Sequence, residues 1–357
     1  MPEKAPELVF DGHNDVLFRL LKKATRTPER DFLDGDGEGH LDLPRMRKGG
    51  FAGGLFAVYV QSPGDGLDKL DELMQGERYD VPLSPLMGAD EALPTTLAMM
   101  ATLARIERGS AGAVKICRTA AEIRECVASG VIAAVLHMEG AEAIDRDLHA
   151  LEVFYKAGLR SLGPVWSRPT IFGHGVPFRY PSTGDTGPGL TDAGKALVRA
   201  CNELGIAIDL SHMTEKGFWD VAAIGTKPLI ASHSNAHAIC PHARNLTDKQ
   251  LDAVASSGGL VGLNFATCFL RPDGQRGNGT PIELMLRHLD HLIGRLGAGH
   301  VGLGSDFDGA MVPEGIGDVT GLPKLVKAMR AHGYNAATVQ QLCRDNWISV
   351  LDKTWGG

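Results

Sequence analysis

Apolar residues in this chain gather into short, nearly uninterrupted runs that end in polar residues. They lie at 8–15 (LVFDGHND), 53–61, 131–140 (VIAAVLHMEG), 159–166, 206–212 (IAIDLSH), 228–234 (PLIASHS), 260–266 (LVGLNFA) and 300–306 (HVGLGSD). A strand with one wet face alternates apolar and polar positions; these runs do not, as expected of parallel strands buried on both faces. The intervening stretches carry helical spacing. The segment 190–205 has Thr191 as an N-cap and Gly205 as a stop, and 246–259 repeats the form. Eight such strands alternating with helices predict an α/β fold, a (β/α)8 TIM barrel. A doubly wound open sheet is the alternative, but the chain lacks the GxGxxG after its first strand that a dinucleotide fold would carry. No linker, repeat or low-complexity tract divides residues 1–357, which read as a single domain with a mostly helical insertion at 62–112, after the second strand. The loop 167–189 is rich in Gly and Pro, and its length suggests a lid.

Barrels of this kind place their chemistry at the C-terminal ends of the strands. Those ends carry His13 and Asp15 on the first run, Glu139 on the third, His212 on the fifth, His233 on the sixth and Asp306 on the eighth. Residues i and i+2 of a strand share a face, so His13 and Asp15 stand side by side. Neutral imidazole and carboxylate are ligands of zinc and related divalent ions. Singly, each residue has an ordinary reading: a strand-end histidine, an Asx turn, a capping box. Together they exceed what one tetrahedral ion needs and suit two ions sharing a carboxylate. Glu139 is the natural bridge, because it stands alone on its strand while the others divide into His13/Asp15 and His212/His233. His137 lies a layer deeper and reads as packing, Asp308 as a loop former, and His237 and His242 as polar surface.

Composition narrows the partners. The 36 basic and 43 acidic residues give a net charge of −7 with no basic patch, which argues against nucleic acid. No apolar stretch reaches the ~18 residues of a membrane span. Neither a signal pattern nor a lipid-anchor tail is visible, so a cytoplasmic protein without membrane attachment is expected. The six cysteines form no CxxC and read as reduced, buried thiols. A homodimer remains open. The absence of a G-x-S-x-G elbow or a Cys/His motif leaves no protein nucleophile.

The motifs DGHND, HMEG, IDLSH, ASHSNAHAICPHARN and GLGSDFDG, with VPEGIGDV and RDNWISVL further on, resemble those of the membrane (renal) dipeptidase family in kind and order. That family comprises zinc dipeptidases of the amidohydrolase superfamily, built on the (β/α)8 barrel, and this chain resembles its soluble bacterial branch. The resemblance implies two Zn2+ per chain, one held by His13, Asp15 and Glu139, the other by Glu139, His212 and His233. It makes Asp306 the acid/base and gives Arg244, in HARN, the carboxylate of a dipeptide substrate. Two departures stand out. Trp166 occupies the place of the family histidine that follows the fourth strand, and His174, eight residues on, could reach the site from the loop; both are taken as substrate-binding. NFATCF after the seventh strand lacks the tyrosine of mammalian members. The expectation is a binuclear zinc dipeptidase acting on dipeptides, L-Xaa-D-Xaa included, through a hydroxide shared by the metals. The alternatives are another amidohydrolase acting on a lactone or cyclic amide, and an inactive metal-binding barrel.

Overall fold

The computed structural model describes residues 6–61 and 69–356. Its eight central strands are β1 (Val9–Asn14), β2 (Phe51–Tyr59), β3 (Ile132–Glu139), β4 (Leu159–Gly163), β5 (Ala207–Ile208), β6 (Ile230–Ala231), β7 (Leu260–Asn264) and β8 (Val301–Gly304). All pair in parallel in the order β5-β4-β3-β2-β1-β8-β7-β6. One parallel bridge, Asp209 to Ile230, joins the two ends of that order and nearly closes the barrel. The helices on 190–205 and 246–259 are Asp192–Leu204 and Asp248–Ser256, the first capped by the Thr191 side chain and ended by Gly205 in the left-handed region.

The pattern overestimates β5 and β6, whose ladders span two residues each. Beyond Ile208 a side chain takes over from the ladder: Asp209 Oδ1 accepts the backbone N–H groups of Ser211 (3.1 Å) and Ser232 (2.8 Å). Three short strands escape the pattern altogether. Val114–Ile116 extends the sheet beside β3, and Tyr79–Asp80 pairs antiparallel with Arg179–Tyr180, tying the insertion to the long loop. Residues 62–68 of the expected insertion lie outside the described residues; the remainder contains the helices Leu70–Leu73 and Ala89–Gly109.

The 167–189 loop is packed down rather than hanging as a flap. Arg168 is fully buried against Glu142 (Nε to Oε1, 2.8 Å), and Val176 N–H donates to His212 C=O at 2.8 Å. A buried ion pair resists opening, because parting it would leave a bare charge.

Core residues on β3 alternate in role. Ala134, Leu136 and Met138 join the large core under the helices, while Ala133 and Val135 join an inner cluster with Phe10, Leu55 and Trp347. His137 and Glu139 continue the inner side towards the C-terminal rim. Trp347, on the helix Asn346–Trp355, is fully buried and donates its indole N–H to Leu303 C=O at 2.8 Å. At Gly302 the atoms that would crowd an added Cβ belong to this indole.

Candidate metal centre

The five predicted ligands converge. His13 Nε2 lies 3.3 Å from Asp15 Oδ2 and 3.6 Å from Glu139 Oε2. The other oxygen of Glu139, Oε1, lies 3.0 Å from His212 Nε2 and 3.5 Å from His233 Nε2, and those two nitrogens are 3.1 Å apart. Ligand atoms of His13, Asp15 and Glu139 thus form one group that could hold a metal ion, and those of Glu139, His212 and His233 form another. All five residues are buried. Asp15 precedes the helix Val16–Lys22 but makes no side-chain cap bond to it, so capping does not account for it.

The far sides of two rings are fixed. His212 Nδ1 is 2.8 Å from Ser167 Oγ and His233 Nδ1 is 2.7 Å from Ser232 Oγ, whose own hydroxyl donates to Asp209 Oδ2. With the Nδ1–H groups donating outward, both Nε2 lone pairs point at Glu139, the tautomer metal ligation requires. Burial, aided by the charge of Arg244, pushes His212 down to about 4 and His233 well below its ordinary value, keeping both rings neutral. Burial alone would raise Glu139, but His13 and His212 hold it well below the usual carboxylate range. Burial lifts Asp15 to about 7. It would lower His13, yet Glu139 and Asp15 draw a proton onto that ring. The cluster therefore calls for positive charge. Among the described residues, His13 Nδ1 and Asp15 Oδ1 are buried with no hydrogen-bond partner. This nitrogen and oxygen donor set fits divalent cations of the zinc type.

Asp209 also comes within ligand range of His13 and His233. Its Oδ1 accepts from the hydroxyl and N–H of Ser211 and the N–H of Ser232, and its Oδ2 from the Ser232 hydroxyl, so it is engaged behind the ligands. Asp209, Ser167 and Ser232 stand outside the strand-end histidines and acids that the sequence pattern marks. The signal was present in the serine that precedes His233.

Asp306 stands beside the ligands with φ +59°, its N–H on His13 C=O (3.1 Å) and its Oδ2 accepting from Asn264 Nδ2 (3.0 Å). Arg244 is buried; its guanidinium donates to Ser211 C=O and His233 C=O, and Nη2 reaches within 3.1 Å of His212 Nε2. Burial lowers it to about 10, so it remains a cation at neutral pH. A cavity opens over the cluster, lined by Asp15, Glu139, His212 and Asp306 on one side and by Phe18, Trp166, Phe178 and Phe269 among its apolar walls. The Trp166 ring stands 5.7 Å from that of His212. His174 is not among the lining residues; its Nδ1 faces Gly189 C=O at 3.3 Å. His137 packs as read, with Nδ1 2.9 Å from Ser161 Oγ, and Asp308 holds the loop through His40 N–H. His242, read as surface, is fully buried: Nδ1 accepts Arg244 N–H at 3.0 Å and the ring packs 4.6 Å from Phe269.

A TIM barrel with imidazoles and carboxylates gathered at its strand ends defines a metal-dependent hydrolase of the amidohydrolase type. The chain belongs to the membrane dipeptidase family (peptidase family M19), whose model matches residues 5–355, and it is accordingly a metal-dependent dipeptidase. A metallo peptidase from Rhodobacter sphaeroides, solved with a phosphinate mimic of the dipeptide L-Ala-D-Ala, superposes with a TM-score of 0.96 at 57% identity, covering 98% of this chain and 100% of that one. An uncharacterized protein encoded in the pqqA 5′ region of Klebsiella pneumoniae is 48% identical over 72% of this chain and 94% of its own length. The dipeptidase tcpJ of Claviceps purpurea (strain 20.1) is 27% identical over 96% of this chain and 76% of its own. No helix among the described residues is long and apolar enough to cross a membrane.

Proposed function

We propose that this metallopeptidase is a binuclear zinc dipeptidase whose substrates include L-Xaa-D-Xaa dipeptides. The observation that carries the reading is Glu139, whose two oxygens face two separate ligand groups. The dipeptide mimic bound to the Rhodobacter relative supports the substrate class. Zinc, when bound, supplies an activated water and Lewis acidity at the scissile carbonyl. The rest falls to the chain. Asp306 accepts the proton of the attacking water and returns it to the leaving amine. Arg244, beside His212, pairs with the C-terminal carboxylate of the substrate. Trp166 and Phe178 wall the cavity and exclude bulk water; His174, turned to Gly189, supports the loop behind them.

Elemental analysis of zinc-loaded protein, run beside a panel of L,L, L,D and D,D dipeptides, tests this. Two equivalents of zinc and turnover of L-Ala-D-Ala are expected, as for a two-metal site. A single equivalent that Glu139→Ala leaves in place would defeat the binuclear reading. Activity confined to lactones or cyclic amides would defeat the dipeptide one.

A further inference from the structure

Asn264, the last residue of β7, is fully buried, and its amide is locked on every side. Its Oδ1 accepts Ala266 N–H at 2.6 Å, which fixes which end is oxygen. Its Nδ2 therefore points at Asp306, donating to Oδ2 at 3.0 Å, with a longer contact of 3.4 Å to His233 C=O. Behind it Asn235 forms a reciprocal pair: Asn235 Nδ2 donates to Asn264 C=O and Asn264 N–H donates to Asn235 Oδ1, each at 2.9 Å. That pair anchors the backbone and leaves the Asn264 amide for Asp306. The other oxygen of Asp306, Oδ1, faces Gly309 on the cavity wall: a Cβ there would collide with Asp306 Oδ1 and with Asp15 Oδ2, the Asp15 oxygen turned to His13.

We propose that Asn264 is a positioning residue for proton transfer: by holding Oδ2 it pins the Asp306 carboxylate so that Oδ1 alone meets the attacking water and the leaving amine. The assignment rests on Asp306 as acid/base. A free carboxylate would turn about χ2, a broad and soft torsion, and offer either oxygen in many poses. A misplacement of about 1 Å costs up to ~100-fold in rate. Because Asn264 does not line the cavity and its amide meets none of the ligand side chains, its loss acts on turnover and not on binding.

The test compares Asn264→Ala, Asn264→Asp and Asp306→Asn in zinc-loaded protein on one dipeptide. Asn264→Asp keeps the acceptor for Ala266 N–H and the side-chain shape, so it remains informative where the alanine variant fails to fold; it is read at the alkaline end of a pH profile, where no proton is left to bridge the two carboxylates and mimic the amide donor. Both Asn264 variants should lose about tenfold to a hundredfold in kcat, with KM and zinc content at wild-type levels, and Asp306→Asn should be at least as impaired. Wild-type kcat in the Asn264 variants beside an inactive Asp306→Asn overturns the proposal while sparing the acid/base reading. A kcat loss matched by lost zinc or a risen KM also overturns it, since that marks a merely structural amide. Full turnover by Asp306→Asn would instead bring down the acid/base reading, and this proposal with it.

Discussion

At the scale of the residue, Arg244 shows how burial decides a role. Arg244 is a buried guanidinium with two carbonyl partners and one edge beside His212, and the proposed function gives it the substrate carboxylate. A dipeptide amide removes that partner's charge. Charge-assisted bonds contribute ~1.5–3 kcal/mol, so the amide should lose about tenfold to a hundredfold in kcat/KM against the acid. Arg244→Ala should narrow the gap by weakening the acid more, and equal rates on acid and amide in the wild type would reject the assignment. The convergence of His13, Asp15, Glu139, His212 and His233 was legible because histidine and acid at several strand ends of one barrel have few other uses. Asn264, Ser167 and Ser232 were not, since amides and hydroxyls are common everywhere and only geometry shows what they hold. His242 was misread for a related reason. What buries it is Phe178 and Phe269, from segments far off in sequence.

Among the elements, the eight barrel strands were legible, while three short strands were not, nor was strand length wherever a side chain replaced the ladder. Asp209 shortens β5 and β6 while bonding both, an exchange invisible to hydrophobic periodicity. The helices were read well where capping residues marked their ends, as at Thr191 and Gly205. The helix Ile282–Leu296 gives a pH prediction. Its His288 is buried with Nδ1 accepting Ala236 N–H (3.2 Å) and Nε2–H donating to Leu270 C=O (3.0 Å). Burial lowers it from 6.5 to about 4. The fold thus refuses a proton that the unfolded chain accepts below 6.5. In that window the unfolded state binds more protons, so this contribution is whole at neutral pH and is lost as pH falls from about 6.5 towards 4. It amounts to roughly 3 kcal/mol. Urea unfolding of the wild type and His288→Gln across this range should show a flatter acid limb in the variant. Parallel limbs would place the proton uptake elsewhere.

For the whole molecule, the rim is a buried cluster of charge that bound metal would offset. Removing metal leaves Asp15, Glu139 and Asp306 facing one another in a buried cluster. A ligand that binds only the folded state adds about 4 kcal/mol at a thousand times its Kd, so chelation should lower Tm and zinc should restore it. An unchanged Tm in the metal-free protein would show that the barrel stands without them.

The opposite side of the barrel interior depends on Trp347. Replacing a buried Trp by Ala costs about 3–5 kcal/mol. Gly302→Ala should also destabilise, since its new methyl would meet the indole. In Trp347→Leu the same glycine change should cost less than in the wild type, and a double-mutant cycle by urea unfolding measures that coupling. Additive losses would mean the two sites ignore each other. The consequence reaches into descent. A lineage cannot shrink the indole without opening a hole, nor gain a methyl at 302 while the indole stays. The two positions draw on one volume, so homologues should change them together or leave both alone.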